Sequence, residues 1–113
     1  MITYWHNPRC SKSRAGLALF ENKGIEVETR QYLKDAPTLV EIQQVQIALG
    51  VATVDMMRSK DALFKELGLS KDCPEAELQA AMAENPALIE RPIAIKGSKA
   101  VIGRPTKALE ALL

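Results

Sequence analysis

Cysteine is scarce in this sequence: there are two among 113 residues, Cys10 and Cys73, far too few for the disulfide framework of a small secreted domain. The opening MITYWHNPRC has no basic segment followed by an apolar one, so no export signal is expected. A reducing cytoplasm is the expected compartment, where a thiol is either catalytic or inert. Aromatic residues make up only 4% of the chain and the formal net charge is +1. So few stacking platforms and so little bulk positive charge argue against nucleic acid as a partner, and any anion site must be local. No apolar run approaches the roughly 18 residues needed to span a bilayer, so no membrane partner is expected either.

What remains is ordinary for a globular protein, with 47% hydrophobic and 26% charged residues over one domain's length. Ile2 to His6 is short, β-branched and aromatic and stops at Asn7-Pro8, which reads as a strand followed by a turn. From Ser11 to Lys23 the residues Ala15, Leu17, Ala18, Leu19 and Phe20 fit an amphipathic helix capped by Gly24. The stretch IEVETRQYL alternates Ile25, Val27 and Thr29 with charged or polar neighbours, a second strand. Strand, helix, strand is a βαβ unit with parallel strands, and a ligand is expected beyond their C-terminal ends, beside Cys10.

Thr38 and Glu41 stand in capping-box spacing ahead of a helix that ends at Gly50. Helical stretches follow at Ala62 to Leu67 and from Pro74 to Glu84, so a helical insertion covers about 38–85 of a single domain. Two β-rich runs around Gly97 and a closing helix from Pro105 complete the order β-α-β, helices, β-β-α. That is the order of an α/β thioredoxin-like fold with a mixed central sheet and an inserted helical block.

Cys10 at the start of a helix faces free backbone N–H groups and the positive end of the helix dipole. A thiol of pKa about 8.5 needs about 2.7 kcal/mol to lose two units, and the dipole supplies about 0.3–1 kcal/mol. Ser13 at i+3 and Arg14 at i+4 return to the same face. A guanidinium about 6 Å away contributes about 3 kcal/mol at an effective dielectric of 20 before screening. His6 and Arg9 add to the local charge, while Asn7 shapes the turn. A C-x-x-C pair would need cysteine where the chain has Ser13, and C-x5-R would need arginine where it has Gly16. The chemistry is therefore that of one thiol, reduced from outside.

HNPRCSKSR, together with Arg58 in MMRSK, Arg91 in ERPIAI and Arg104 in IGRP, resembles the glutaredoxin-dependent arsenate reductase family, the ArsC family, over essentially the whole chain. The resemblance implies that Cys10 attacks arsenate to form an arseno-cysteine, with Arg58, Arg91 and Arg104 holding the oxyanion. It implies that glutathione, a co-substrate, displaces the adduct and that glutaredoxin clears the mixed disulfide. Ser13 and Arg14 would then support the thiolate and His6 would tune it, with Asn7 beside them. Pro92 matches the cis-proline of thioredoxin folds. No bound cofactor and no metal are expected, and a monomer is.

Two further readings stand beside this one. One is a glutathione-dependent thiol oxidoreductase with a substrate other than arsenate. The other is an Spx-like redox-responsive regulator of transcription, against which Ser13 and the 113-residue length count. Cys73 reads as a helix-cap or surface residue rather than a resolving thiol.

Overall fold

In a computed structural model describing residues 1–113, the β-branched and aromatic stretch Ile2–Trp5 forms β1. Helix α1 (Ser11–Asn22) follows, and β2 (Val27–Arg30) returns parallel to β1 with Tyr4 opposite Thr29. The expected strand to His6 ends one residue earlier, although the His6 N–H still donates to the Arg30 carbonyl at 2.8 Å. The expected strand over IEVETRQYL is shorter too. Lys34 N–H closes a turn onto the Gln31 carbonyl at 3.0 Å, so the chain leaves the ladder after Arg30.

The sheet is completed by β3 (Ile93–Lys96), antiparallel to β1, and β4 (Lys99–Ile102), antiparallel to β3, in the order β2-β1-β3-β4. Gly97 and Ser98 join β3 to β4. Gly97 has φ +59, and no non-glycine residue has a positive φ, which is the pattern of a type II′ hairpin turn with glycine first. The fold is α/β and thioredoxin-like, with a mixed four-stranded sheet. The closing segment, expected as a helix from Pro105, is a 3₁₀ helix over Thr106–Leu112.

The chain divides into two compact units, 1–35 with 91–113, and 36–90. In the first, Ile2, Tyr4, Phe20, Ala94, Leu109 and Leu112 form a buried cluster, with Leu17, Leu19, Ile25, Val27 and Val101 packed against it. Burying each large side chain contributes about 1.5–3 kcal/mol. That cluster clamps α1 and the 3₁₀ segment onto the sheet. Tyr4 meets Phe20 edge to face, with ring centroids 6.0 Å apart. Gly103 allows this packing because a Cβ there would lie 2.8 Å from Pro92 Cγ and 3.1 Å from Leu109 Cγ.

The second unit is helical. Helix α2 (Leu39–Leu49) starts at a complete capping box: Glu41 N–H donates to Thr38 Oγ1 at 3.2 Å and Thr38 N–H to Glu41 Oε1 at 3.0 Å. Gly50 ends it at φ +68, the left-handed conformation that favours glycine after a helix. Helices α3 (Ala62–Glu66) and α4 (Glu75–Glu84) follow, with 3₁₀ turns at Thr53–Met56 and Pro86–Leu88. Helix α2 packs on α4, where Gln46 Oε1 accepts from Thr53 Oγ1 at 2.9 Å and from Gln79 Nε2 at 2.8 Å. No helix is long and apolar enough to cross a membrane.

Gly16 carries a testable consequence. A Cβ there would run into the Tyr4 hydroxyl and approach Leu109 Cδ1 to 2.8 Å. Glycine inside a helix otherwise costs about 1 kcal/mol relative to alanine, so Gly16→Ala would stabilise if space were available. Instead the collision should make Gly16→Ala destabilising by about 1–3 kcal/mol in urea denaturation. In a Tyr4→Phe background the penalty should shrink. An equal penalty in both backgrounds would show that the hydroxyl is not the obstruction.

Candidate active site

The turn before α1 is built by short polar bonds. Asn7 Oδ1 accepts from Arg9 N–H at 3.1 Å, and the Asn7 carbonyl accepts from Cys10 N–H at 3.0 Å. Cys10 thus enters the N-cap of α1 in an extended conformation, φ −95 and ψ 122, while its carbonyl accepts the first helical bond from Arg14 N–H at 3.0 Å. Asparagine and proline at 7 and 8 favour this turn because one tolerates local side-chain bonding and the other fixes φ.

Burial alone would push the half-buried Cys10 thiol up. Hydrogen bonds from Ser13 N–H, the Arg91 guanidinium and Lys12 N–H, together with the charge of Arg91, outweigh it and hold the pKa below its ordinary value. Each such bond favours the charged form, because a thiolate accepts hydrogen bonds more strongly than a thiol does. These contacts favour the thiolate form of Cys10, which stands at the C-terminal edge of the parallel strands.

Ser13 is completely buried and organises the ground beneath Cys10. Its carbonyl accepts from the Tyr4 hydroxyl at 2.7 Å. Its Oγ lies 2.7 Å from His6 Nδ1 and accepts from Asn7 N–H at 2.9 Å. Burial, and then the charge of Arg14, lower the pKa of His6, so a neutral imidazole stands beside the hydroxyl. Burial drives the Tyr4 phenol well above its ordinary range, and the ring stays a donor. Tyr4 is the residue that sequence reasoning missed. A glycine in the middle of an amphipathic helix, Gly16, signals close approach by another group.

Arg14, expected to support the thiolate, turns elsewhere: its Nη1 donates to the Pro8 carbonyl at 2.9 Å, and its charge is felt at His6. The guanidinium that reaches Cys10 is that of Arg91. Arg104 Nε donates to the Arg91 carbonyl at 2.8 Å, which ties the two arginine segments together. The Arg91–Pro92 peptide bond is cis, as is Arg104–Pro105. Arg58 belongs to the second unit, where its Nη2 pairs with Asp61 Oδ2 at 2.9 Å and its N–H donates to the Leu88 carbonyl at 2.7 Å. Cys73, also in that unit, accepts from Ser70 N–H at 3.4 Å, in the turn ahead of α4. No group of His, Cys, Asp and Glu residues is arranged to hold a metal ion.

Comparison with known proteins places this geometry among relatives. The sequence profile of the ArsC family matches residues 5–112. Arsenate reductases of Neisseria meningitidis and Haemophilus influenzae are similar at 48% and 47% identity, in each case over 99% of this chain, and over 97% and 98% of theirs. A solved structure of an arsenate reductase from Vibrio cholerae matches with a TM-score of 0.91 at 44% identity, over 96% of this chain and 95% of that one.

The rate of Cys10 alkylation by iodoacetamide follows the thiolate fraction, so its pH midpoint should lie below that of a free cysteine. Removing the guanidinium in Arg91→Ala withdraws a group that favours the charged form, so the midpoint should move up and alkylation at mildly acidic pH should slow. Arg14→Ala should leave the midpoint nearly in place. The reverse ranking of the two variants would return the role to Arg14.

Proposed function

The chain belongs to the ArsC family, and on that premise we propose that it is an arsenate reductase working through Cys10 alone, with glutathione and glutaredoxin as external reductants. The observation that carries this reading is a half-buried thiol at the N-cap of α1 with the Arg91 guanidinium and two helical N–H groups hydrogen-bonded to it. A thiolate approached by an arsenate anion accumulates negative charge. Forked guanidinium donors meet such charge better than lysine does.

Cys10 attacks arsenic, water leaves, and a cysteine–arsenate bond forms with arsenic still As(V). The sulfur of glutathione then attacks the Cys10 sulfur. The S–As bond breaks with its electron pair going to arsenic, which leaves as As(III) arsenite carrying the thiol proton. The product is a Cys10–glutathione disulfide, and a glutaredoxin thiol exchanges with it to restore Cys10. The two electrons come entirely from thiols, so neither a metal nor a bound cofactor is used.

Arg91 and Arg104 hold the oxyanion in this scheme, and Arg58 is assigned the same duty from its place in the family pattern. Ser13, His6 and Asn7 keep the thiolate's donors in place. Pro92 fixes the backbone next to Arg91.

Purified protein supplied with arsenate, glutathione and glutaredoxin should form arsenite, and Cys10→Ser should form none. Arg91→Ala should lower turnover by about 10²-fold, as loss of one charge-stabilising donor does in other enzymes. Arsenite production by Cys10→Ser equal to that of the unaltered protein would end the proposal.

A further inference from the structure

A cavity of about 270 Å³ opens beside the turn that delivers Cys10. One wall is the loop after β1, with His6, Pro8 and Arg9, and the other is the loop after β2, with Gln31, Leu33 and Lys34. It lies beyond the C-terminal ends of the two parallel strands, where open α/β sheets place their ligands. Cys10 follows Arg9 directly, one Cα step of about 3.8 Å along the chain.

The lining includes two cations, Arg9 and Lys34, one on each wall, and no carboxylate. The nearby acid, Asp35, is committed to Arg30: its Oδ2 lies 3.3 Å from Arg30 Nε, and its carbonyl accepts from the same atom at 3.0 Å. His6 Nδ1 is turned to Ser13 Oγ at 2.7 Å. Leu33, 46% exposed, and Pro8 give the mouth an apolar surface where methylene groups can lie. The volume falls just below the roughly 300–1,000 Å³ of drug-sized pockets, which suits a small ligand held partly in solvent.

We propose that this cavity binds the thiol co-substrate, a small thiol bearing carboxylates, with its anionic ends against Arg9 and Lys34 and its sulfur directed toward Cys10. The inference rests on the thiol-dependent reaction proposed above and places the second sulfur of that reaction on the β1–β2 side of the nucleophile. Arg9 and Lys34 then act on the incoming thiol rather than on the thiolate, a division of labour with Arg91. The chemical step is the one already balanced: the S–S bond forms at the Cys10 sulfur, and whatever group Cys10 carried leaves with the S–X electron pair.

The test needs no arsenate. Cys10 is converted to its mixed disulfide with 5-thio-2-nitrobenzoate, and release of the coloured thiolate is followed on adding either glutathione or uncharged 2-mercaptoethanol. With both cations reversed, in Arg9→Glu/Lys34→Glu, release by glutathione should slow by roughly tenfold or more at low salt, while release by 2-mercaptoethanol changes less than about twofold. Both side chains are solvent-exposed, so the fold should be unaffected. Titration of the labelled, unaltered protein with unreactive S-methylglutathione should shift amide resonances of Asn7, Arg9, Gln31, Leu33 and Lys34.

Equal slowing of the two thiols would overturn the proposal, since the cations would then be acting on Cys10 itself. So would unchanged rates with both, or resonance shifts confined to 91–104. Failure of arsenite formation alongside the expected thiol selectivity would instead count against arsenate as the substrate and leave the cavity's role standing.

Discussion

The candidate active site depends on how the first turn of α1 is held against β1, and Ser13 is where that hold is made. Three groups from outside the helix converge on this one buried residue: the Tyr4 hydroxyl on its carbonyl, and His6 Nδ1 and Asn7 N–H on its Oγ. Each bond contributes only about 0.5–1.5 kcal/mol net, yet losing one partner in a buried setting costs about 1–3 kcal/mol. That asymmetry fixes geometry more than it adds stability. Ser13 N–H is also one of the donors on Cys10, so the placement of the serine and the acidity of the thiol are one fact seen from two sides.

The charge side of the site is assembled from the far end of the chain. Arg91 arrives at the start of β3, and β3 is brought beside β1 by the pairing of Trp5 with Ile93. Arg104, after β4, reaches back to the Arg91 carbonyl, so the β3–β4 hairpin delivers both arginines to one place. The helix dipole alone supplies about 0.3–1 kcal/mol, less than the burial of the thiol has to overcome together with its intrinsic pKa. The Ser13 and Lys12 N–H groups and the Arg91 guanidinium add to it, and together they outweigh burial. This is why the acidity of Cys10 requires the sheet and not merely a helix start.

Much of this was legible in the amino-acid sequence, and the places where it was not share a cause. The βαβ start, the capped α2 and the β3–β4 hairpin all carry short-range signals, namely Asn-Pro, the Thr38–Glu41 pair and Gly97. The closing segment reads as a helix by pattern, yet seven residues held mainly by Leu109 and Leu112 settle into 3₁₀ geometry. Spacing placed Arg14 on the correct face of α1, but spacing does not choose a rotamer, and the Pro8 carbonyl draws its guanidinium away. Arg91 has no local signal at all, since its contact with Cys10 exists only after the sheet is paired. Tyr4 was hidden for the same reason: in a strand it looks like any core aromatic, and only Gly16 across the interface shows that its hydroxyl has a task.

The absence of a second thiol at position 13 is a structural requirement as much as a chemical choice. The Oγ there must fit a fully buried site, accept from Asn7 N–H and lie 2.7 Å from an imidazole nitrogen, a distance a larger sulfur does not reach without displacing its neighbours. A thiol is also a weaker donor and acceptor than a hydroxyl. Replacing Ser13 by cysteine would therefore supply a second sulfur by loosening the residue whose N–H donates to Cys10. A site built in this way has no sulfur at position 13 to resolve an adduct on Cys10, and in the proposed reaction the next electron pair comes from a thiol in solution. On that proposal the surface beside Cys10 has solution thiols to discriminate among, a task that an intramolecular partner would make unnecessary.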